Sequence, residues 1–385
     1  MNQHARLSPS ASKIWMACAG QPRLAATVRD ESSVYADEGT DAHWLAHGIV
    51  AGEFAGSRSP MAPAPKLDFS QLVGPKGNAV TQEMLDAVMV YVEACRAEIQ
   101  QDDDWEVEQR LYYSDDLWGT ADFVRYRPST GELLVADYKH GRGVPVEVES
   151  NPQALIYGLM KAKHLRNRGI SSVTLMIVQP RCPHPDGPVR RWTFHGVDFL
   201  EFEDRLLDAI AATRAADAPL LPGDHCQWCP AKPICPALRA ATLDRARADF
   251  APGLPYDPAE LVSALDSIQL METWIRATRE FAYREAIAGR VPTGWKLAEK
   301  RATRKWRSEQ EAVAALERML PTDELYEPRA LLSPARIERS LGKDGKEKIA
   351  GLTVAESSGL TLVRESDKRP AASPRATAAE DFSAA

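Results

Sequence analysis

At 385 residues, 44% apolar and 26% charged, the chain has the length of two or three domains and the composition of an ordinary globular protein, which excludes disordered, collagenous and coiled-coil classes. No run of about 18 apolar residues offers a membrane span, and the opening MNQHARLSPSASKIW lacks the apolar stretch of a signal peptide, so a cytoplasmic location is expected. Lys and Arg number 47 against 54 Asp and Glu, a net charge of −7, so any contact with DNA has to come from local basic patches.

The first predicted element is a helix over 8–18, with Ser8 as cap, Pro9 in its first turn and Cys18 near its end. A second helix is expected over 37–50, then a loop rich in Gly, Pro and Ser over 53–79. From 82 to 99 the residues Leu85, Val88, Met89, Val92 and Cys95 share one helical face. The period then changes to that of strands over 105–111, 119–126 and 132–138, joined by the turn signals SDD and PSTG. A helix over 150–165, a buried strand over 173–178, a further strand at 191–194 and a helix over 198–215 follow. This order predicts an α/β core with a mixed sheet. A cysteine-rich loop occupies 224–236. Beyond it, 258–288 reads as one long amphipathic helix, 308–319 opens with the capping pair Ser308 and Glu311, and 334–341 is a short helix. The expected division is a core domain over 1–250, a small, mostly helical domain over 251–364 and a disordered tail over 365–385.

The densest chemistry lies in Gly119-Thr-Ala-Asp122, Asp137-Tyr-Lys139 and Gln153-x-x-x-Tyr157. Asp122 and Asp137 fall on adjacent predicted strands, where two carboxylates repel unless a hard divalent cation such as Mg²⁺ joins them. Lys139 is two residues past Asp137 and so shares its strand face. There it can orient a water and offset charge on a phosphoryl transition state. Gln153 and Tyr157 share a helix face.

Three further cysteines stand in ten residues, Cys226-x-x-Cys229 and Cys235, with Cys18 far upstream. Thiolates in a reducing compartment suit an iron–sulfur cluster and also zinc, for which His225 is a substitute ligand. Cys95 and Cys182 receive no role. From 296 to 307 six basic residues face Glu299 alone, flanked by Trp295 and Trp306. Arg301, Arg304, Lys305, Trp306 and Arg307 are the candidate DNA-binding residues, since basic groups can track phosphates while rings stack on bases. A packed C-terminal core is the competing reading. No G-x4-G-K-[ST] phosphate loop occurs, so no ATP motor is expected.

With Gly39-Thr-Asp-Ala-His43 placed before these motifs, the ordered set resembles the RecB-type branch of the PD-(D/E)XK nucleases. The resemblance implies a restriction-endonuclease-like core. Mg²⁺ or Mn²⁺ would be held by His43, Asp122, Asp137 and the Tyr138 carbonyl. Lys139 would be the catalytic lysine, with Gln153 and Tyr157 supporting substrate or site geometry and Glu108 as an accessory ligand. The cysteine layout resembles the iron–sulfur subgroup, which includes AddB-like and CRISPR-associated members, and implies that Cys18, Cys226, Cys229 and Cys235 bind a [4Fe–4S] cluster stapling the domain ends, with structural zinc as the alternative. An LSPSA-type start and the GWK, LSPA and SDKRPA segments are similar to a phage and prophage family of unassigned function. The expected activity is a DNA exonuclease resecting ends in recombination or repair beside a phage single-strand annealing or single-strand-binding protein. A structure-specific endonuclease and a catalytically silent DNA- or partner-binding module are the alternatives.

Overall fold

Five strands form one mixed sheet in chain order: β1 Asp104–Tyr112, β2 Trp118–Arg127, β3 Glu132–Tyr138, β4 Ser172–Val178 and β5 Val189–His195. The computed structural model describes residues 5–28, 33–55, 69–166, 168–249 and 258–297, together with Glu347. All but Glu347 lie in the first of two units, Met1–Leu297; the second is Ala298–Ala385. Among the described residues the helices are α1 Ser12–Trp15, α2 Gln21–Ala25, α3 Val34–Val50, α4 Gln82–Ala97, α5 Pro152–Leu165, α6 Phe199–Arg214, α7 Pro236–Asp249 and α8 Pro258–Ile287. None is long and apolar enough to cross a membrane.

Only β3 and β4 pair in parallel; the other neighbours are antiparallel. A parallel pair needs a crossover, which α5 supplies. Asn151 caps that helix by accepting the Ala154 N–H at 3.1 Å, and Pro152 occupies its first turn. Ser33 and Thr81 do the same for α3 and α4.

The sheet is covered on both faces. On one, Leu45 and Ile49 of α3 and Val88 and Val92 of α4 join a cluster with Leu134 and Met176. On the other, Ile156 and Met160 of α5 and Phe202 and Leu206 of α6 cluster with Val135 and Leu175. Along β3, Leu133 and Val135 enter the α5 side, and Leu134, Ala136 and Tyr138 the α3 side. By the same alternation Asp137 belongs to the α5 side.

The predicted helix over 8–18 is broken. A single 3-10 turn, Pro9–Ala11, capped by Ser8, leads into the four residues of α1, and α2 follows after a turn. The break lets the arm pass close to the segment leading to the cysteine loop. Gly20 N–H donates to the Pro219 carbonyl at 2.9 Å, and a β-carbon at Gly20 would lie 2.7 Å from the Ala218 carbonyl oxygen. Upstream, Leu7 bridges Leu117 and donates its N–H to the Asp116 carbonyl at 2.9 Å. Arg6 forks onto the Asp116 carboxylate at 3.1 Å, and Arg214 reaches the same carboxylate at 2.9 Å. Helix α7, which the sequence did not announce, starts at Pro236 directly after Cys235. Helix α8 packs on α7 and on the short turns of the cysteine loop.

Candidate functional site

Strands β1 and β2 pair in constant register from Asp104↔Tyr126 to Tyr112↔Trp118, except at one rung. That rung is Glu108 opposite Asp122, and there Glu108 adopts φ +48, a left-handed conformation unusual for a residue with a β-carbon. The break also changes which face the alternation serves. Val107 and Phe123 belong to the cluster under α3 and α4, whereas Leu111 and Ala121, of the same parity, belong to the cluster under α5. Two carboxylates directly opposite in a ladder repel. Strained backbone of this kind, costing of order 1–3 kcal/mol, clusters at functional sites.

Helix α3 brings His43 to the same place. Its Nδ1 lies 3.4 Å from Asp122 Oδ1. His43, Glu108 and Asp122 form the one group of three or more His, Cys, Asp or Glu among the described residues whose ligand atoms all lie within 4.8 Å of one another. Burial opposes charge on His43, but Asp122, with Asp137 behind it, raises the imidazole to about 9. Burial also works against ionised Asp122; His43 and the Tyr138 N–H, which donates to Oδ2 at 2.7 Å, hold it below its ordinary value. Glu108 is exposed as a whole residue, yet the protein crowding its carboxyl, with the facing Asp122 charge, pushes it up to about 7. An imidazole and two converging carboxylates are a donor set for a divalent cation.

Asp137 stands at the end of β3 in a second, adjoining triangle. Gln153 Nε2 donates to its Oδ1 at 2.7 Å, Lys139 Nζ lies 2.8 Å from its Oδ2, and Lys139 Nζ donates to Gln153 Oε1 at 2.9 Å. The Lys139 contact with Oδ2 is an ion contact outside hydrogen-bond alignment, so this buried oxygen keeps unspent lone pairs. Burial, reinforced by the Asp122 charge, pushes the Asp137 carboxyl up in spite of Lys139. Burial disfavours the Lys139 ammonium, but Asp137 outweighs it and holds it above its usual range. Tyr157, one turn beyond Gln153, is buried, and a β-carbon at Gly119 would lie 2.9 Å from its hydroxyl and 2.9 Å from Pro9. Gly119 therefore lets helix α5 and the N-terminal arm close onto the strand that carries Asp122.

The predicted site residues thus meet: His43, Asp122, Asp137, Lys139, Gln153 and Tyr157 lie around the end of β3 and the middle of β2 beside it. Asp137 is outside the group within 4.8 Å, and Glu108, an accessory in the sequence reading, is inside it. Two supporting residues carried no sequence signal that the motif spacing could reveal. Asp41, within Gly39–His43, is fully buried and accepts from Lys76 N at 2.7 Å and from Asn78 N at 3.1 Å, so it anchors the 74–78 loop. His140 accepts from or donates to Tyr138 Oη at 2.8 Å and contacts Arg181, which binds Glu38 of α3 at 2.8 Å. That chain fastens the end of β3 to the helix bearing His43.

Cys18, Cys226, Cys229 and Cys235 converge at a hollow also lined by Ile14 and Leu238, with about 310 Å³ of space counting the part open to solvent. Three of the sulfurs accept backbone N–H groups: Cys18 from Leu221 at 3.3 Å, Cys226 from Gly223 at 3.4 Å and Cys235 from Leu238 at 3.5 Å. Cys229 has the Ala231 amide beside it. Burial raises the Cys226 thiol and pushes Cys229 to about 11. His225 is engaged by the Leu221 carbonyl at 2.9 Å. Cys95 and Cys182 are buried elsewhere.

A family profile described as a protein of unknown function, DUF2800, matches residues 4–370. The chain belongs to the DUF2800 family. Among solved structures, the crystal structure of SSO0001 is similar at 15% identity over 59% of this DUF2800 chain and 96% of that one, with a TM-score of 0.24. Arg301, Arg304, Lys305, Trp306 and Arg307, with the helices predicted at 308–319 and 334–341 and the tail from 365, lie outside the described residues.

Proposed function

We propose that this protein is a divalent-metal-dependent DNA nuclease of the RecB-type PD-(D/E)XK kind, an exonuclease resecting DNA ends in phage recombination or repair. The observation that carries the reading is the pair of adjoining groups where the end of β3 meets the middle of β2: His43, Glu108 and Asp122 around a common point, and Asp137 clasped by Lys139 and Gln153. The unspent Oδ2 of Asp137 and the unpaired Glu108–Asp122 rung both fit a cation. Mg²⁺ or Mn²⁺ held by His43, Asp122, Glu108 and Asp137, with the Tyr138 carbonyl, would supply charge neutralisation and an activated water for phosphodiester hydrolysis. Lys139, beside them, would orient such a water and offset charge on the phosphoryl oxygens. Gln153 closes the triangle by bonding both Asp137 and Lys139 and so orients the pair, and Tyr157 lies one turn farther along the helix that carries it.

The cysteine cage supports a [4Fe–4S] cluster over zinc. Four sulfurs tetrahedral about one zinc at 2.3 Å stand roughly 3.8 Å apart. No three of the cysteine sulfurs here come within 4.8 Å of one another. Thiolates that each take a separate iron of a cubane stand farther apart, and amide donors to the sulfurs are part of such sites.

The test is incubation of purified protein and Mg²⁺ with end-labelled linear and closed circular DNA. Loss of label from linear DNA with the circle intact is the expected result. Cutting of the circle makes it an endonuclease, and no cutting of either with any divalent ion ends the reading.

A further inference from the structure

Beyond the broken rung, β1 continues along the open edge of the sheet, since β1 pairs with β2 alone. Its next outward residues are Arg110 and Tyr112, both exposed, Tyr112 to 58%. Directly across the ladder from Tyr112 is Trp118, with ring centroids 6.0 Å apart. The Arg110 guanidinium carbon lies 4.0 Å from the centre of the Trp118 ring and 5.7 Å from that of Tyr112. Arg110 makes no salt bridge among the described residues, so no carboxylate neutralises its charge. The patch is thus a cation set among two aromatic rings, with one ring largely in solvent. A cross-strand pair that served only the hairpin would gain from covering the Tyr112 ring, and among the described residues the ring stays largely exposed.

The patch is also placed. At about 3.3 Å per residue, Arg110 is about 7 Å and Tyr112 about 13 Å along the strand from Glu108. A nucleic-acid strand leaving the candidate metal group along this edge meets the guanidinium first and the rings next. Bases offer their faces to rings only when unstacked, and so in a single strand rather than a duplex. We infer that Arg110, Tyr112 and Trp118 form a stacking platform for single-stranded DNA, holding the strand whose phosphodiester lies at the metal group. The inference rests on the nuclease reading for its DNA partner, but it concerns binding alone.

The experiment is equilibrium binding of a fluorescent oligothymidylate of about twenty nucleotides, and of a blunt duplex of the same length, to the full chain in EDTA. Stacking of one base is worth about a five- to hundredfold change in Kd. Tyr112→Ala should weaken oligothymidylate binding within that range and leave duplex binding within about twofold, with Tyr112→Phe restoring it. Arg110→Gln should flatten the salt dependence by about 0.7 log unit per decade of salt, one phosphate contact on a single strand. Matching thermal melts of Tyr112→Ala and Tyr112→Phe separate stacking from damage to the hairpin. Unchanged oligothymidylate affinity in Tyr112→Ala, equal loss on both substrates, no binding by the native protein, or binding only of acidic peptides overturns the platform. Because cutting is not read, a protein that cleaves DNA without Tyr112-dependent binding keeps the nuclease and loses the platform. Tyr112-dependent binding without cleavage in Mg²⁺ does the reverse.

Discussion

Glu108 and Asp122 face each other across the only unpaired rung of the β1–β2 ladder, and His43 closes on Asp122 from helix α3 at 3.4 Å. The chain accepts there a positive φ, a lost pair of ladder bonds and two like charges at once. Each is unfavourable for folding, and together they mark a site shaped for something other than stability.

Glu108→Gln removes one of the two charges and should stabilise the metal-free protein. With about 1 kcal/mol gained, the melting temperature rises by about 2–4 °C. The rise in melting temperature on adding Mn²⁺ should shrink in the same variant, because a ligand that binds only the native state stabilises it more the tighter it binds. A variant that melts as the native protein does, with the same Mn²⁺ response, removes Glu108 from the metal group.

Asp137→Ala and Lys139→Ala should each reduce cleavage on the order of 10²-fold or more while circular dichroism stays native. His43→Ala should reduce it less. Gln153→Ala, which leaves Asp137 and Lys139 in place but untied, should lower kcat with KM little changed. Near-native cleavage by either of the first two variants sinks the catalytic assignment.

Anaerobically purified protein should be brown and hold about four irons per chain. Cys18→Ser should lose iron and stability as much as Cys226→Ser, since either opens the same cage. Cys95→Ser and Cys182→Ser should keep the full iron content. A colourless protein with one tightly bound zinc retains the staple and refutes the cluster.

The N-terminal arm should loosen in acid. The Arg6 guanidinium, with Arg214 beside it, holds the Asp116 carboxyl below its ordinary value of 3.8. A carboxyl whose value is lowered on folding contributes stability that is fully present above 3.8 and is lost as pH falls through the folded-state value. The contribution is at most about 1 kcal/mol at this partly exposed site. Asp116→Asn should lose it at neutral pH and show a flatter acid limb in urea melts between pH 5 and about pH 3. An acid limb of native steepness in the variant means that Asp116 does not clip the arm.

Local chemistry was legible where it acts over a few residues. Ser8 as a cap, the helical face from Leu85 to Cys95, the β1 to β3 alternation and the spacing from Asp122 to Tyr157 all depend on near neighbours, and the turn, strands and helices they imply form. What sequence could not carry depends on register and on distant partners. The pairing of Glu108 with Asp122 needs the ladder; the Asp41 grip on the 74–78 loop and the His140–Arg181–Glu38 chain need the tertiary fold. Helix α7, PALRAATLDRARAD, has only Leu238 and Leu243 as large apolar residues and so no strong periodic signal; it packs on α8, with Leu238 at the cysteine loop.

The spread of the cysteines along the chain also sets a timetable. Cys18 leaves the ribosome 217 residues before Cys235. At about 5–20 residues per second the first thiol waits roughly ten to forty seconds for the last. The arm meanwhile has an earlier berth, because Leu7 bridges Leu117 and Pro9 lies against Gly119 at the start of the second strand. The nascent chain can therefore moor its arm on the half-built sheet, while Cys18 waits for its own neighbours, Pro219 and Leu221, to arrive with the remaining three thiols.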